Sequence, residues 1–168
     1  MGRMGPNLLA SLFDSHAAAL ALYARQWCDG PEDIVQEAFV KLARQRPPPD
    51  RAVPWLYRVV RNGAIEASRG ARRRRRREAL ASGRESWFAT ADDRIDAQDA
   101  TRLLADLVPD VREVIVARVW GGLTFDEIAR LQGCSLTTAH RRYQDGLARL
   151  HERLERPWTP LKTTPKAP

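Results

Sequence analysis

The segment from Leu123 to Leu154 constrains this chain more than any other, because its punctuation admits only two helices joined by a tight turn. Thr124-Phe125-Asp126-Glu127 is a capping box: the Thr124 hydroxyl can accept from the Glu127 amide, and the Glu127 carboxylate can answer back. Leu123 and Ile128 occupy the staple positions on either side of it, and Ile128, Ala129 and Leu131 give a short helix its apolar side. Gly133 follows Ala129 by four residues, where a turn between helices needs positive φ and a small neighbour. Ser135 then reads as the N-cap of a second helix. Steps of three and four predict that this helix buries Leu136, Ala139, Tyr143, Leu147 and Leu150. Thr137, Thr138, His140, Arg141 and Gln144 fall on the opposite side. An apolar back with hydroxyl, imidazole and guanidinium groups in front is what a helix inserted in a DNA major groove requires. An ordinary helical hairpin with a solvated polar face is the plainer alternative.

The rest of the chain repeats the helical signal and lacks the strand one. Alternating Val/Ile/Thr runs and Asn-Gly or Asp-Gly turns are absent. Leu8, Leu9, Leu12, Phe13, Ala19, Leu20 and Tyr23 trace one helical face, ended by Asp29-Gly30-Pro31. A second helix carries Ile34, Val35, Ala38, Phe39 and Leu42 on a stripe and opens with Glu32 and Asp33 at the positive end of its dipole. Pro47-Pro48-Pro49-Asp50 breaks the chain. A third helix starts near Pro54 with Trp55, Leu56, Val59 and Val60 and runs into the arginine block Arg72–Arg77. Residues 78–99 turn polar and acidic and read as a linker, although Trp87 and Phe88 are unusual in a spacer. Leu103, Leu104 and Leu107 start a second module. Val111, Val114, Ile115 and Val119 continue it as a helix closed by Gly121-Gly122. A proline-rich tail follows from 156.

Charge narrows the partner. The 168 residues carry a net charge of +7, and 43% are hydrophobic, so packed cores and a polyanionic partner (nucleic acid or an anionic membrane surface) are both expected. Within this basic chain Asp33, Gln36, Glu37 and Lys41 form an acidic and amide-rich face on the second helix, suited to a basic helix of another protein. The third helix sets Trp55, Tyr57, Arg58, Arg61 and Asn62 together. Aromatic rings beside arginines suit unstacked single-stranded bases. Arg72, Arg73 and Arg74 lead a run that would neutralise phosphates without reading sequence.

Other chemistry is not expected. His16, His140, His151, Cys28 and Cys134 lack a metal-ligand spacing. No Gly-rich phosphate loop and no nucleophile–base set can be placed, so no catalytic residue, metal or cofactor is assigned. With two distant cysteines and no run near the length of a membrane span, the chain reads as soluble and cytoplasmic.

Three stretches, in order, resemble the extracytoplasmic-function sigma factors of bacterial RNA polymerase. Asp33-Ile34-Val35-Gln36-Glu37-Ala38-Phe39 is similar to region 2.2 of that family, and Pro54 to Asn62 is similar to regions 2.3 and 2.4. Gly122 to Ala129 with the Ser135 helix is similar to region 4.2. The resemblance implies an all-α fold of two small helical domains. These are a three- to four-helix region 2 bundle (5–77) and a region 4 helix-turn-helix (100–155), with a flexible linker (78–99) and a disordered tail (156–168). It implies an alternative sigma factor that is not itself an enzyme. Asp33, Gln36, Glu37 and Lys41 would dock on the polymerase β′ clamp, and region 4 would meet the β flap. Trp55, Tyr57, Arg58, Arg61, Asn62, Arg72, Arg73 and Arg74 would hold the melted minus-ten element, with Asn62 helping to capture a flipped base. Ser135, Thr137, Thr138, His140, Arg141 and Arg142 would read the duplex minus-thirty-five element. An anti-sigma factor would be a further partner. Ala139 and His140 depart from the family's usual larger aliphatic and its basic or polar residue, so promoter sequence is not implied. A stand-alone helix-turn-helix regulator and a basic RNA-binding protein are the competing readings, with a helical nuclease a distant fourth.

Overall fold

The computed structural model describes residues 4–78 and 103–155, with backbone alone for 74–78. The linker from 79, with Trp87 and Phe88, and the tail from 156 lie outside the described residues. Among the described residues the regular elements are all helices: α1 (Pro6–Ala24), α2 (Pro31–Arg44), α3 (Ala52–Glu78), α4 (Pro109–Val119), α5 (Phe125–Gln132) and α6 (Leu136–Glu155). A short helical turn at 103–105 precedes α4.

Helices α1, α2 and α3 pack on one another as one bundle, and α4, α5 and α6 as another. Prolines open α1, α2 and α4 at positions where a backbone donor has no helical partner. In the first bundle Leu20, Tyr23, Val35, Ala38, Phe39, Leu42, Leu56, Tyr57, Val60 and Ala64 are buried. The periodic stripe of α2 is therefore the stripe that packs. The amino-terminal half of α1 departs from expectation: Leu8 and Phe13 stay exposed, Phe13 meeting Phe39 edge-on at 4.9 Å. Leu9 and Leu12, between them in sequence, are the residues of these first turns that pack against the core.

In the second bundle Thr124 caps α5 as the sequence demands. Its hydroxyl accepts from the Glu127 amide at 3.3 Å, and Glu127 Oε2 accepts from the Thr124 amide at 2.8 Å. Gly133 takes φ +67° at the turn into α6. The buried face of α6 differs from the apolar pattern. Leu136 and Leu147 are exposed, Tyr143 and Leu150 are half-buried, and the fully covered positions are Ala139 and Gly146. Helix α4 crosses so closely that a Cβ on Gly146 would lie 2.8 Å from side-chain atoms of Val111 and Ile115. Close approach of small residues thus replaces interdigitation of large ones.

The two bundles also touch. Helix α4 lies against α1, and α5 against α3. A Cβ on Gly121, just past the end of α4, would lie 2.6 Å from the Tyr57 ring carbon and hydroxyl. The two helical domains are thus in direct contact, while the linker that joins them lies outside the described residues.

Candidate nucleic-acid interface

Helix α6 presents the side predicted for a DNA groove. Ser135 caps it, its hydroxyl accepting from the Thr138 amide at 3.1 Å. The Ser135 and Thr138 hydroxyls are 2.8 Å apart. Thr137, His140, Arg141 and Gln144 are exposed and Thr138 is half-buried, while Ala139 faces inward. His140 rests edge-on against Phe125 with centroids 4.9 Å apart, which fixes its ring beside the turn. Arg142 is the exception: it is half-buried and donates to Gln132 Oε1 at 2.9 Å and to Asp110 Oδ2 at 2.6 Å.

Helix α3 carries a second charged side. Arg58, Asn62, Glu66, Arg69, Arg72 and Arg73 are exposed, and their spacing sets most of them along one line of the helix. The side chain of Arg74 lies outside the described residues. Two other residues of the expected minus-ten group are placed differently. Tyr57 is fully buried between the bundles, its ring edge-on to Tyr23 at 4.8 Å. Burial pushes its hydroxyl far above the ordinary phenol range. It faces no base in this arrangement, because an aromatic on the packing stripe of α3 is drawn into the core. Arg61 donates to Glu113 Oε1 at 2.7 Å and sits 5.8 Å from the centre of the Trp27 ring. Burial opposes its charge, but the Glu113 hydrogen bond and negative charge prevail and raise its pKa. Trp55 is half-buried.

On α2, Asp33, Gln36, Glu37 and Lys41 are all exposed, with Glu37 and Lys41 paired at 2.9 Å. Val40 is exposed among them, an apolar spot that a purely electrostatic reading of the face omits.

Glu113 is the residue the sequence reading missed. It is only 2% exposed. One oxygen accepts from Tyr23 at 2.5 Å and from Arg61, and the other accepts from Gln132 at 3.0 Å. Tyr23 is held protonated by burial first and by the adjacent Glu113 charge second. A lone carboxylate inside the run Val111–Val119 was the available signal, since a charge on a packed helix calls for a buried partner.

Among the described residues no cluster of His, Cys, Asp or Glu could hold a metal ion, and no helix is long and apolar enough to cross a membrane. Two helical modules, one ending in a capped helix-turn-helix with an exposed polar side, define a DNA-binding class of protein. The chain matches Sigma-70 region 2 over residues 12–76 and Sigma-70 region 4 over residues 97–150. It is 34% identical over 155 residues to the RNA polymerase sigma factor CarQ of Myxococcus xanthus, spanning 85% of this chain and 87% of CarQ. In fold it resembles the sigma factor RpoE of Bartonella quintana, solved with the anti-sigma factor NepR. The TM-score is 0.67 at 22% identity, covering 92% of this chain and all of that one. It also resembles CnrH, solved with the cytosolic domain of CnrY, at a TM-score of 0.57 and 23% identity, with 89% of each chain covered. The chain belongs to the sigma-70 family, in its extracytoplasmic-function group. It is an alternative sigma factor acting in transcription initiation, and the readings as a stand-alone regulator or an RNA-binding protein are not favoured.

Proposed function

We propose that the exposed side of each of three helices meets a different component of the initiation complex. Helix α2 offers Asp33, Gln36, Glu37 and Lys41 to the β′ clamp of core RNA polymerase. Helix α3 offers Arg58, Asn62, Arg72 and Arg73 to the melted minus-ten element, with Trp55, Arg61 and Arg74 alongside. Helix α6 offers Thr137, Thr138, His140 and Arg141 to the minus-thirty-five duplex, with Ser135 at its start and the half-buried, paired Arg142 alongside. Functional boundaries follow at 5–77, 78–99, 100–155 and 156–168, with region 4 reaching the β flap. The chain works in the cytoplasm, takes no cofactor, and leaves the chemistry of RNA synthesis to the core enzyme. An anti-sigma factor is a further partner: RpoE, whose fold this chain shares, was solved bound to one.

The observation that carries this reading is charge segregation. The acidic and amide side of α2 and the arginine line of α3 are both exposed on one bundle, so one body can hold a protein and a polyanion at once. The test is charge reversal, Asp33→Lys with Glu37→Lys, followed by co-purification with core polymerase and in vitro transcription. Both substitutions lie on solvent, so the circular dichroism spectrum and melting temperature stay near wild type while core binding is lost. Unchanged co-purification with core would refute the assignment of α2. For α6, Arg141→Ala with Arg142→Ala weakens duplex promoter binding by about 1–3 kcal/mol per lost base contact.

A further inference from the structure

One aromatic ring at the start of α5 gathers side chains from three helices. Phe125 directly follows the Thr124 cap, so the capping box fixes the turn that carries it. The Arg118 guanidinium of α4 lies 4.9 Å from the centre of the Phe125 ring and donates to the Leu123 carbonyl at 2.8 Å. From α6, His140 and Tyr143 meet the same ring edge-on, with centroids 4.9 and 5.3 Å away. All four side chains belong to one bundle, so the arrangement does not depend on how that bundle sits against the other.

His140 is the only one of the four that is exposed. It lies three residues after Thr137 and four before Gln144, both exposed, and so shares their side of α6. Its neighbour Ala139 is fully buried. His140 therefore leaves the helix at the edge of the packed surface, where Phe125 can hold its ring without covering it. A free side chain beside a groove can swing between neighbouring bases, and it loses that freedom on binding. An imidazole held against another ring has fewer places to go, so its N–H is aimed before DNA arrives. That N–H needs an acceptor. In the major groove guanine offers N7 and O6, adenine has an acceptor beside a donor, thymine has an acceptor beside a methyl, and cytosine has only a donor.

We propose that Phe125 is a positioning residue that aims His140 at one base pair of the minus-thirty-five duplex, and that the held imidazole sets this chain's preference for guanine there. The proposal rests on the assignment of α6 to duplex DNA. Phe125 acts through the ring it steadies and need touch no base. Arg118 and Tyr143 brace Phe125 in turn, which ties the aim of one side chain on α6 to the packing of α4 and α5.

The test is in vitro transcription by the full chain with core polymerase. The templates form a pool randomised across the minus-thirty-five element, each with a barcode in its transcribed part, and the transcripts are sequenced. The wild-type chain should favour guanine over cytosine about three- to tenfold at one position, roughly the worth of one hydrogen bond. His140→Ala should level that position and leave the others as they were. Phe125→Leu should level the same position although His140 is intact, while Phe125→Tyr, which keeps the ring, should retain the preference. Adding Phe125→Leu to His140→Ala should change nothing further at that position, since both act through one contact. If Phe125→Leu does not fold, Phe125→Met takes its place with the same expectation. A Phe125→Leu chain that transcribes less from every template but keeps the guanine preference reduces Phe125 to packing and overturns the proposal. So does a His140→Ala profile identical to wild type while Arg141→Ala alters another position, and the reading of α6 then stands. If neither variant alters any position, the assignment of α6 falls and the proposal with it.

Discussion

Gly146 and Cys28 show how single side chains set local limits in this molecule. Gly146 is the one fully buried position on the carboxy-terminal half of α6, pressed against Val111 and Ile115. Glycine in mid-helix costs up to about 1 kcal/mol in helix propensity, so its presence means that the crossing has no room for a side chain. Gly146→Val should therefore destabilise the protein by about 1–3 kcal/mol, the usual range for overpacking a filled core, as measured by urea unfolding. A neutral result would mean that α4 and α6 can move apart freely. Cys28 donates its thiol proton to the Ala24 carbonyl at 3.4 Å. Burial foremost raises its pKa to about 11, with Asp29 and Glu32 adding to the rise and a hydrogen bond from the Gly30 backbone opposing it. In the folded chain the proton is held more tightly than in the unfolded one. The thiol's contribution to stability is complete below about pH 9 and is lost as pH climbs through about 11. Alkylation of Cys28 by iodoacetamide at pH 8 should accordingly run about a hundredfold slower than that of a free thiol, as each unit of pKa is a factor of ten in thiolate. Peptide mass spectrometry across pH 8–11 reads this directly, and a rate that levels off near pH 9 would show the thiol to be unshifted.

At the level of elements, the boundaries were legible because each has a local cause. Proline starts α1, α2 and α4, Thr124 and Ser135 cap α5 and α6, and Gly133 supplies the left-handed turn. Replacing Thr124 by Ala should cost about 1 kcal/mol, seen as a lower urea midpoint at unchanged slope, since only the cap is lost. The polar sides of α2 and α6 were legible for the same reason, as what remains once a 3.6-residue apolar period is subtracted. Burial that depends on distant partners was not. Leu136 and Leu147 fit the period of α6 and are nonetheless exposed, because among the described residues no element covers that side. Tyr57 fits an aromatic–arginine cluster and is instead sealed under Gly121. Helix α4 holds the clearest case: Arg112 lies on a packed surface yet donates to the carbonyls of Leu104, Ala105 and Leu107 at 2.7, 2.9 and 2.6 Å. Burial lowers its pKa to about 10, which leaves it charged at neutral pH. It ties the turn at 103–107 to α4, a job no motif announces. Arg112→Met, which keeps the stem and removes the donors, should destabilise the protein by about 3 kcal/mol and raise amide hydrogen exchange at 103–107 first. Uniform loss of protection across the chain would contradict that local role.

Across the whole molecule, a net charge of +7 is an average over surfaces of opposite sign, and affinity for DNA should follow the distribution and not the total. The acidic side of α2 points to solvent while Arg58, Arg69, Arg72 and Arg73 are exposed on α3, so only part of the surface attracts phosphate. Each phosphate that an arginine neutralises releases condensed counterions, giving a slope of log affinity against log salt of about −0.9 per contact on duplex and −0.7 on single strands. Arg72→Ala with Arg73→Ala should therefore flatten the slope by about 1.4 on a single-stranded probe if both contact phosphates. Sequence discrimination on a duplex would stay intact, because that is assigned to α6. Arg141→Ala should do the reverse if it reads a base edge: poorer discrimination between duplexes and little change in salt slope. The comparison separates two kinds of positive charge that sequence alone lumps together. If both sets of substitutions flatten the slope equally and leave discrimination untouched, α6 is another phosphate-binding surface and the division of labour between α3 and α6 is wrong.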